Sequence, residues 1–138
     1  MAYLFPSAEW VAAFKEALNN NEAYKVSAAT WEGDFYFIVE PKGSLKEPVK
    51  FYLDLWHGQC REAYLVTGEG DKQPEFVIEG SIDTYRKIFK KQLDPIRALV
   101  SRQLKLKGNL AKIMRSVKAT LDLVNSASSV PTRYPDEE

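Results

Sequence analysis

Between Val49 and Trp56 the side chains alternate in character. Val49, Phe51, Leu53 and Leu55 fall on one set of positions, Lys50, Tyr52, Asp54 and Trp56 on the other. A period of two sends successive residues to opposite faces, so this stretch is predicted to be a strand with one oily and one amphipathic face. Such a strand is not stable alone. It needs paired neighbours in a sheet and a second layer against its oily face.

The neighbours are legible on both sides. Phe35-Tyr36-Phe37-Ile38-Val39 is a dense aromatic and β-branched run that ends at Pro41-Lys42-Gly43, the pattern of a strand and a turn. After Trp56, His57-Gly58 turns the chain into a strand over Cys60–Thr67, and Gly68-Glu69-Gly70-Asp71 turns it into another over Glu75–Glu79. Three successive strands with short connections predict an antiparallel meander.

The covering layer is helical. Ser7 caps a helix in which Trp10, Val11, Phe14, Ala17 and Leu18 recur at spacings of three and four. Asn19 to Asn21 interrupt it, and Glu22 to Ala29 form a short second helix. After Gly80 the period is helical again. Ser81 caps a helix carrying Ile82, Tyr85, Ile88 and Phe89, and Asp94-Pro95 supplies a cap and a first-turn proline for the next, with Ile96, Leu99 and Val100 on one side. Gln103–Lys107 alternates as a short strand. Gly108-Asn109 then caps a last helix whose Leu110, Ile113, Met114, Val117, Leu121 and Val124 make one stripe. From Ser126 the chain is polar and interrupted by proline, which predicts a frayed tail. The fold class is α+β, with helices over one face of a mostly antiparallel sheet.

A chain of 138 residues is sized for one domain and buries about two thirds of its unfolded surface, so it needs no staple. Its single Cys permits no intrachain disulfide, and no stretch approaches the ~20 apolar residues of a membrane span. The first residues lack the basic start and apolar run of a secretory signal. A soluble, cytoplasmic protein is the expectation.

Catalytic patterns are scarce. One His and one Cys exclude zinc sites built from several such ligands, and no Gly-x-Ser-x-Gly is present. His57 and Cys60 stand three apart at a turn between strands, where a structural role is favoured over a nucleophile pair. Gly68 and Gly70 lack the spacing of a phosphate loop. No catalytic residue, metal or cofactor is expected, and the chain is read as non-enzymatic.

Net charge is zero, but it is a sum of unequal parts. Residues 1–85 hold 7 basic and 14 acidic side chains, residues 86–118 hold 11 basic against the single acid Asp94, and residues 119–138 hold one Arg against four acids. A basic segment of this density suggests an anionic partner. Nucleic acid is one candidate, through phosphate neutralisation, and an anionic membrane surface the other. No helix-turn-helix, zinc or RNA-binding sheet motif accompanies the cations, so no nucleic-acid partner is expected and that module is the alternative. The large apolar faces either fill a core, as in a ligand-free accessory or interaction domain, or line a cavity.

Residues 79–114 carry a family resemblance. Glu79-Gly80-Ser81 leads into a helix, Gln92-Leu93-Asp94-Pro95 follows, and Ala98-Leu99-Val100 precedes Gln103-Leu104-Lys105-Leu106-Lys107-Gly108-Asn109. This resembles the sterol carrier protein type 2 family, in which Leu-Asp-Pro and then Gly-Lys-Leu-Lys-Ile-Lys-Gly-Asp come before the last helix. The resemblance spans about residues 5–125, with its specific motif in 92–114. Arg102 stands where the family has its first glycine and Asn109 where it has aspartate.

The resemblance implies about five strands covered by helices, with an apolar tunnel between the layers for a sterol, fatty acid or similar acyl chain. Residues 1–125 would form this lipid-binding domain and 126–138 the tail. Phe35, Phe37, Phe51, Leu53 and Leu55 would supply the sheet wall. Ile88, Phe89, Leu104 and Leu106, then Ile113, Met114, Val117 and Leu121, would supply the helical side and the mouth. Arg102, Lys105, Lys107 and Lys112 would dock that mouth on anionic membrane.

Overall fold

The computed structural model describes residues 2–43, 45–68, 70 and 72–135. Its main sheet contains β2 (Glu32–Glu40), β3 (Val49–Trp56), β4 (Gln59–Val66), β5 (Phe76–Ser81) and β6 (Lys105–Lys107), and β1 (Tyr3–Leu4) pairs apart from it with β7 (Thr132–Arg133). The helices are α1 (Ala8–Asn19), α2 (Glu22–Ser27), α3 (Ile82–Phe89), α4 (Pro95–Val100), α5 (Leu110–Met114) and α6 (Val117–Ser129).

Helix starts follow the local chemistry. The side chains of Ser7, Asn21, Ser81, Asp94 and Asn109 each accept a hydrogen bond from a backbone N–H in the first turn of α1, α2, α3, α4 and α5. Each satisfies a donor that the helix itself leaves unpaired. The β3–β4 hairpin turns through His57 at φ 48° and Gly58 at φ 80°, the mirror-image geometry that matches strand twist. A Cβ on Gly58 would stand 2.7 Å from the Lys25 carbonyl, so α2 packs directly on this turn.

The sheet order is β4-β3-β2-β5-β6, and it corrects the predicted meander. β2, β3 and β4 are antiparallel neighbours, but β5 lies parallel to β2 on the far side and never pairs with β4. Parallel neighbours cannot be joined by a tight turn, and the segment after Val66 is therefore a crossing, not a hairpin. It passes over the face of the sheet opposite the helices. Tyr36 Oη donates to the Lys72 carbonyl at 3.1 Å and accepts from the Lys72 N–H at 3.0 Å, and Asp34 accepts from the Glu75 N–H at 2.7 Å. Tyr36 belongs to a tyrosine row with Tyr52 and Tyr64, and Tyr52 in turn donates to Asp34 at 2.8 Å; the rings of Tyr36 and Tyr52 are buried. Glu69 and Asp71, two of the four predicted turn residues, lie outside the described residues.

Residues paired across the sheet share a face, so register defines the two layers. The helix side shows the row Leu65, Phe51, Phe37, Ile78, Leu106 and beside it Ala63, Leu53, Phe35, Phe76. α1 packs against β4, and α6 contacts α1, α2, α3 and α4.

Two more expectations are corrected here. The last helix is broken at Arg115 and Ser116 into α5 and α6. Its apolar stripe does not survive the break, and Leu110, Met114 and Leu121 are exposed. Residues 126–135 are not frayed. Ser126, Ala127, Val130 and Tyr134 are buried. The polar residues that suggest fraying hold the segment in place: Ser126 Oγ accepts from Asn21 Nδ2 at 2.8 Å, Thr132 Oγ1 accepts from Trp10 Nε1 at 2.9 Å, and the Tyr3 N–H donates to Pro131 O at 2.7 Å. Residues 136–138 lie outside the described residues.

Candidate functional site

The layers between sheet and helices do not close completely. They leave an apolar cavity of about 90 Å³, of the same order as the ~150 Å³ apolar cavities that stay dry and take up small hydrocarbons. Its floor is aromatic. Trp31, Phe35, Phe37 and Phe51 stack in sequence with centroids 5.9, 5.3 and 5.2 Å apart and planes within 20° of one another. Phe35 and Phe37 sit at alternate positions on β2, Phe51 lies directly across from Phe37 on β3, and Trp31 just before β2 extends the run of rings. Leu55 and Ile78 complete the floor.

Each helix contributes to the walls. Phe14 comes from α1, Tyr24 from α2, Tyr85, Ile88 and Phe89 from α3, Pro95 and Leu99 from α4, and Ile113 from α5. Along α6 the wall is Ala119, Thr120, Leu123, Val124 and Ala127, with Ser116 at the break before it. Leu104, just before β6, closes the side next to Gly80. A Cβ on Gly80 would come within 2.6 Å of Leu104 Cδ2, so this glycine leaves the space the leucine occupies. Among the described residues the lining carries no charged side chain.

The structure brings together Phe35, Phe37, Phe51, Leu55, Ile88, Phe89, Leu104 and Ile113 from the expected wall. It does not bring in Leu53, which is fully buried on the same sheet face away from the opening. Nor does it bring in Met114, Val117 or Leu121, because the break at 115–116 changes the helical phase and α6 turns Ala119, Leu123 and Val124 inward instead. Leu106 lies beside the cavity, in a shallow groove with Leu99, Arg102, Leu104, Lys105, Gly108 and Leu110. Leu99 and Leu104 line both spaces, so the groove adjoins the cavity. Phe14, Tyr24, Trp31 and Tyr85 line the cavity without having been expected as site residues, although Phe14 and Tyr85 lie at apolar positions of the helical pattern.

Arg102, Lys105 and Lys107 are exposed around β6. Lys112 differs: its ammonium sits 2.7 Å from Glu75 Oε2 and donates to the Glu32 carbonyl, 4.8 Å over the Trp31 ring. Unlike those three it is engaged within the fold. Elsewhere in the basic segment, Arg86 pairs with Asp83, Lys91 with Asn125 and Lys118 with Asp122.

His57 and Cys60 do not form a pair. His57 Nε2 lies 2.6 Å from Glu32 Oε2 at the surface, its ring stacked on Trp56, whereas Cys60 is buried with its thiol donating to the Glu62 carbonyl. Burial pushes the Cys60 thiol up to about 12, outweighing the attraction of Lys15 for the thiolate. Burial likewise lifts the Tyr24 and Tyr85 phenols far above their ordinary value, so both remain neutral. Among the described residues no cluster of three His, Cys, Asp or Glu side chains could hold a metal, and no helix is long and apolar enough to cross a membrane.

A helix-covered sheet enclosing a charge-free apolar cavity is the architecture of a lipid-binding domain, and comparison with known proteins agrees. Residues 14–121 match the SCP-2 sterol transfer family. This chain belongs to that family, and membership implies lipid binding or transfer. It is 38% identical to a sterol carrier protein 2 of known crystal structure, with a TM-score of 0.80 over 90% of this chain and 97% of that one. It is 35% identical to a conserved protein of Thermus thermophilus described as possibly a sterol carrier protein, with a TM-score of 0.82 over 92% of this chain and 90% of that one. A stretch of 65 residues is 37% identical to Stomatin-like protein 1 of Mus musculus, covering 47% of this chain and 16% of that protein.

Proposed function

We propose that this protein holds the apolar body of a lipid in the cavity between sheet and helices and exchanges it at anionic membrane surfaces. The observation that carries the reading is the lining: rings and aliphatic side chains with only Ser116 and Thr120 as aliphatic hydroxyls, and no charge among the described residues. Each methylene moved from water into such surroundings contributes about 0.8 kcal/mol. A dozen would supply about 10 kcal/mol, enough to offset the several kcal/mol that association costs. The cavity takes only part of such a chain as it stands, so occupancy parts the helices or extends through Leu99 and Leu104 into the adjoining groove.

That groove supports the docking half of the proposal. Exposed Leu110 lines it together with Arg102 and Lys105, and apolar side chains beside cations suit a headgroup region, at about 1 kcal/mol for each cation near an anionic surface. Lys107 adds charge on the same short strand.

Organic extraction of the purified protein followed by mass spectrometry tests the first half, with a co-purifying lipid as the expected result. Absence of any such lipid, together with failure to take up a fluorescent fatty acid, overturns it. For docking, flotation with phosphatidylserine-containing vesicles is expected to weaken as salt is raised. Association indifferent to both salt and lipid charge removes that half.

A further inference from the structure

Among the described residues, the polar side chains of the cavity wall have partners except the Ser116 hydroxyl, at the half-buried break before α6, and one fully buried hydroxyl, that of Tyr24. Tyr85 directs its hydroxyl at the carbonyls of Ile78 and Ile38, at 3.1 and 3.2 Å. Thr120 Oγ1 donates to the Ser116 carbonyl at 3.0 Å, and Trp31 Nε1 donates to Gly33 O at 3.2 Å. Tyr24 is only 2% exposed, and among the described residues its hydroxyl has no hydrogen-bond partner. Among the described residues no enclosed polar side-chain atom lacks a partner, so this oxygen is not sealed in protein, and the residue that carries it lines the cavity. A phenol in this position is stabilised only when something in the cavity accepts or donates to it.

We infer that the Tyr24 hydroxyl is the contact by which this cavity recognises an uncharged hydrogen-bonding group, a hydroxyl or a carbonyl, on an otherwise apolar ligand. The inference rests on the lipid-binding reading and specifies which end of the lipid lies inside. An ionised carboxylate is disfavoured there. Among the described residues no Lys, Arg or His lines the cavity to balance it, and burying an unpaired charge costs far more than one hydrogen bond returns. Burial also keeps the phenol protonated, so it offers a neutral O–H and a lone pair. A lipid bearing a carboxylate or phosphate would place that group outside, whereas an alcohol or ketone can enter polar end first. Tyr24 thereby acts as a specificity residue on α2, a helix whose Ser27 is tied to Asp122 of α6.

Displacement of a fluorescent apolar probe by dodecane, dodecanol and dodecanoate, on wild type and on Tyr24→Phe, tests this. Wild type is expected to favour dodecanol over dodecanoate at neutral pH. The substitution is expected to weaken dodecanol about tenfold while leaving dodecane within about twofold. Without ligand, Tyr24→Phe is expected to melt no lower than wild type, because no internal hydrogen bond is lost. A substitution that weakens dodecane and dodecanol alike, or neither, overturns the inference and leaves lipid binding standing; the second result is the one expected if water alone partners the phenol. Failure of all three compounds to displace the probe overturns the lipid-binding reading and this inference with it. If Tyr24→Phe does not fold, NMR of wild type labelled at the tyrosine ring carbon bearing oxygen reads the same contact. The Tyr24 signal must move with dodecanol and not with dodecane.

Discussion

The Ser27 hydroxyl on α2 donates a 2.8 Å hydrogen bond to the carboxylate of Asp122 on α6, which is only 4% exposed. Lys118, one turn earlier on α6, lies 3.2 Å from the same oxygen, and Asn21 at the start of α2 reaches the Asp122 carbonyl and Ser126. These contacts join two neighbouring helices that both contribute to the cavity wall. Asp122→Ala is expected to destabilise the protein by about 1–3 kcal/mol in urea unfolding, and the double-mutant cycle with Ser27→Ala to show about 0.5–1.5 kcal/mol of coupling. Additive effects of the two substitutions would show that the helices are held by something else.

Arg102 has φ 64°, in the left-handed region. A side chain costs about 1–2 kcal/mol there and glycine almost nothing. The turn is retained despite the arginine. Arg102→Gly is expected to leave stability unchanged or raise it by up to about 1 kcal/mol, after the greater unfolded-state freedom of glycine is counted. In the same variant, association with anionic vesicles is expected to fall. Calorimetry and flotation on one preparation measure both effects, and a marked loss of stability contradicts the conformational argument.

Cys60 is 2% exposed, and its thiol is pushed up to about 12. The thiolate is the reactive form, so a disulfide reagent at pH 8 is expected to label the native protein only as fast as it opens. Labelling should accelerate in step with urea unfolding. Rapid stoichiometric labelling of native protein would refute the assignment of Cys60 as a packed, inert residue.

Asp83 forms an ion pair of 2.6 Å with Lys42. The Lys42 hydrogen bond holds its carboxyl below the ordinary 3.8, against the opposing effect of burial. A carboxyl whose native value is depressed stabilises the fold above its unfolded value, and that contribution is lost as pH falls through the lower native one. Unfolding free energies between about pH 5 and pH 2 are therefore expected to fall more steeply for wild type than for Asp83→Asn. Identical slopes would show that the pair does not persist in solution.

What the sequence made legible divides by distance along the chain. Caps at Ser7, Ser81, Asp94 and Asn109 depend on residues two or three away, and the β3–β4 turn depends on His57-Gly58 alone. Alternation along β2 and β3 placed Phe35, Phe37, Phe51 and Leu55 on one face, and those rings and the leucine do line the cavity. The position of β5 was not legible, because pairing of Phe35 with Phe76 is decided by which strand buries both, not by the turn sequence between β4 and β5. The inward face of α6 was missed for a related reason. A single period carried across Arg115-Ser116 points to Met114 and Leu121, whereas a new helix starting at Val117 presents Ala119, Leu123 and Val124. Tyr24 had no pattern to betray it, since a lone buried hydroxyl is identified by the partners it lacks.

The brevity of β6 has a consequence for how copies of this protein behave in a crowded solution. A sheet ending in a strand exposes unpaired backbone groups that can template the strand of a neighbour. Here the outermost strand is three residues long, and two of the three are the exposed lysines Lys105 and Lys107. A second molecule adding its own β6 there would bring four ammonium groups together along one seam. Electrostatic repulsion and a short template together discourage runaway fibre growth from an edge that carries a family motif.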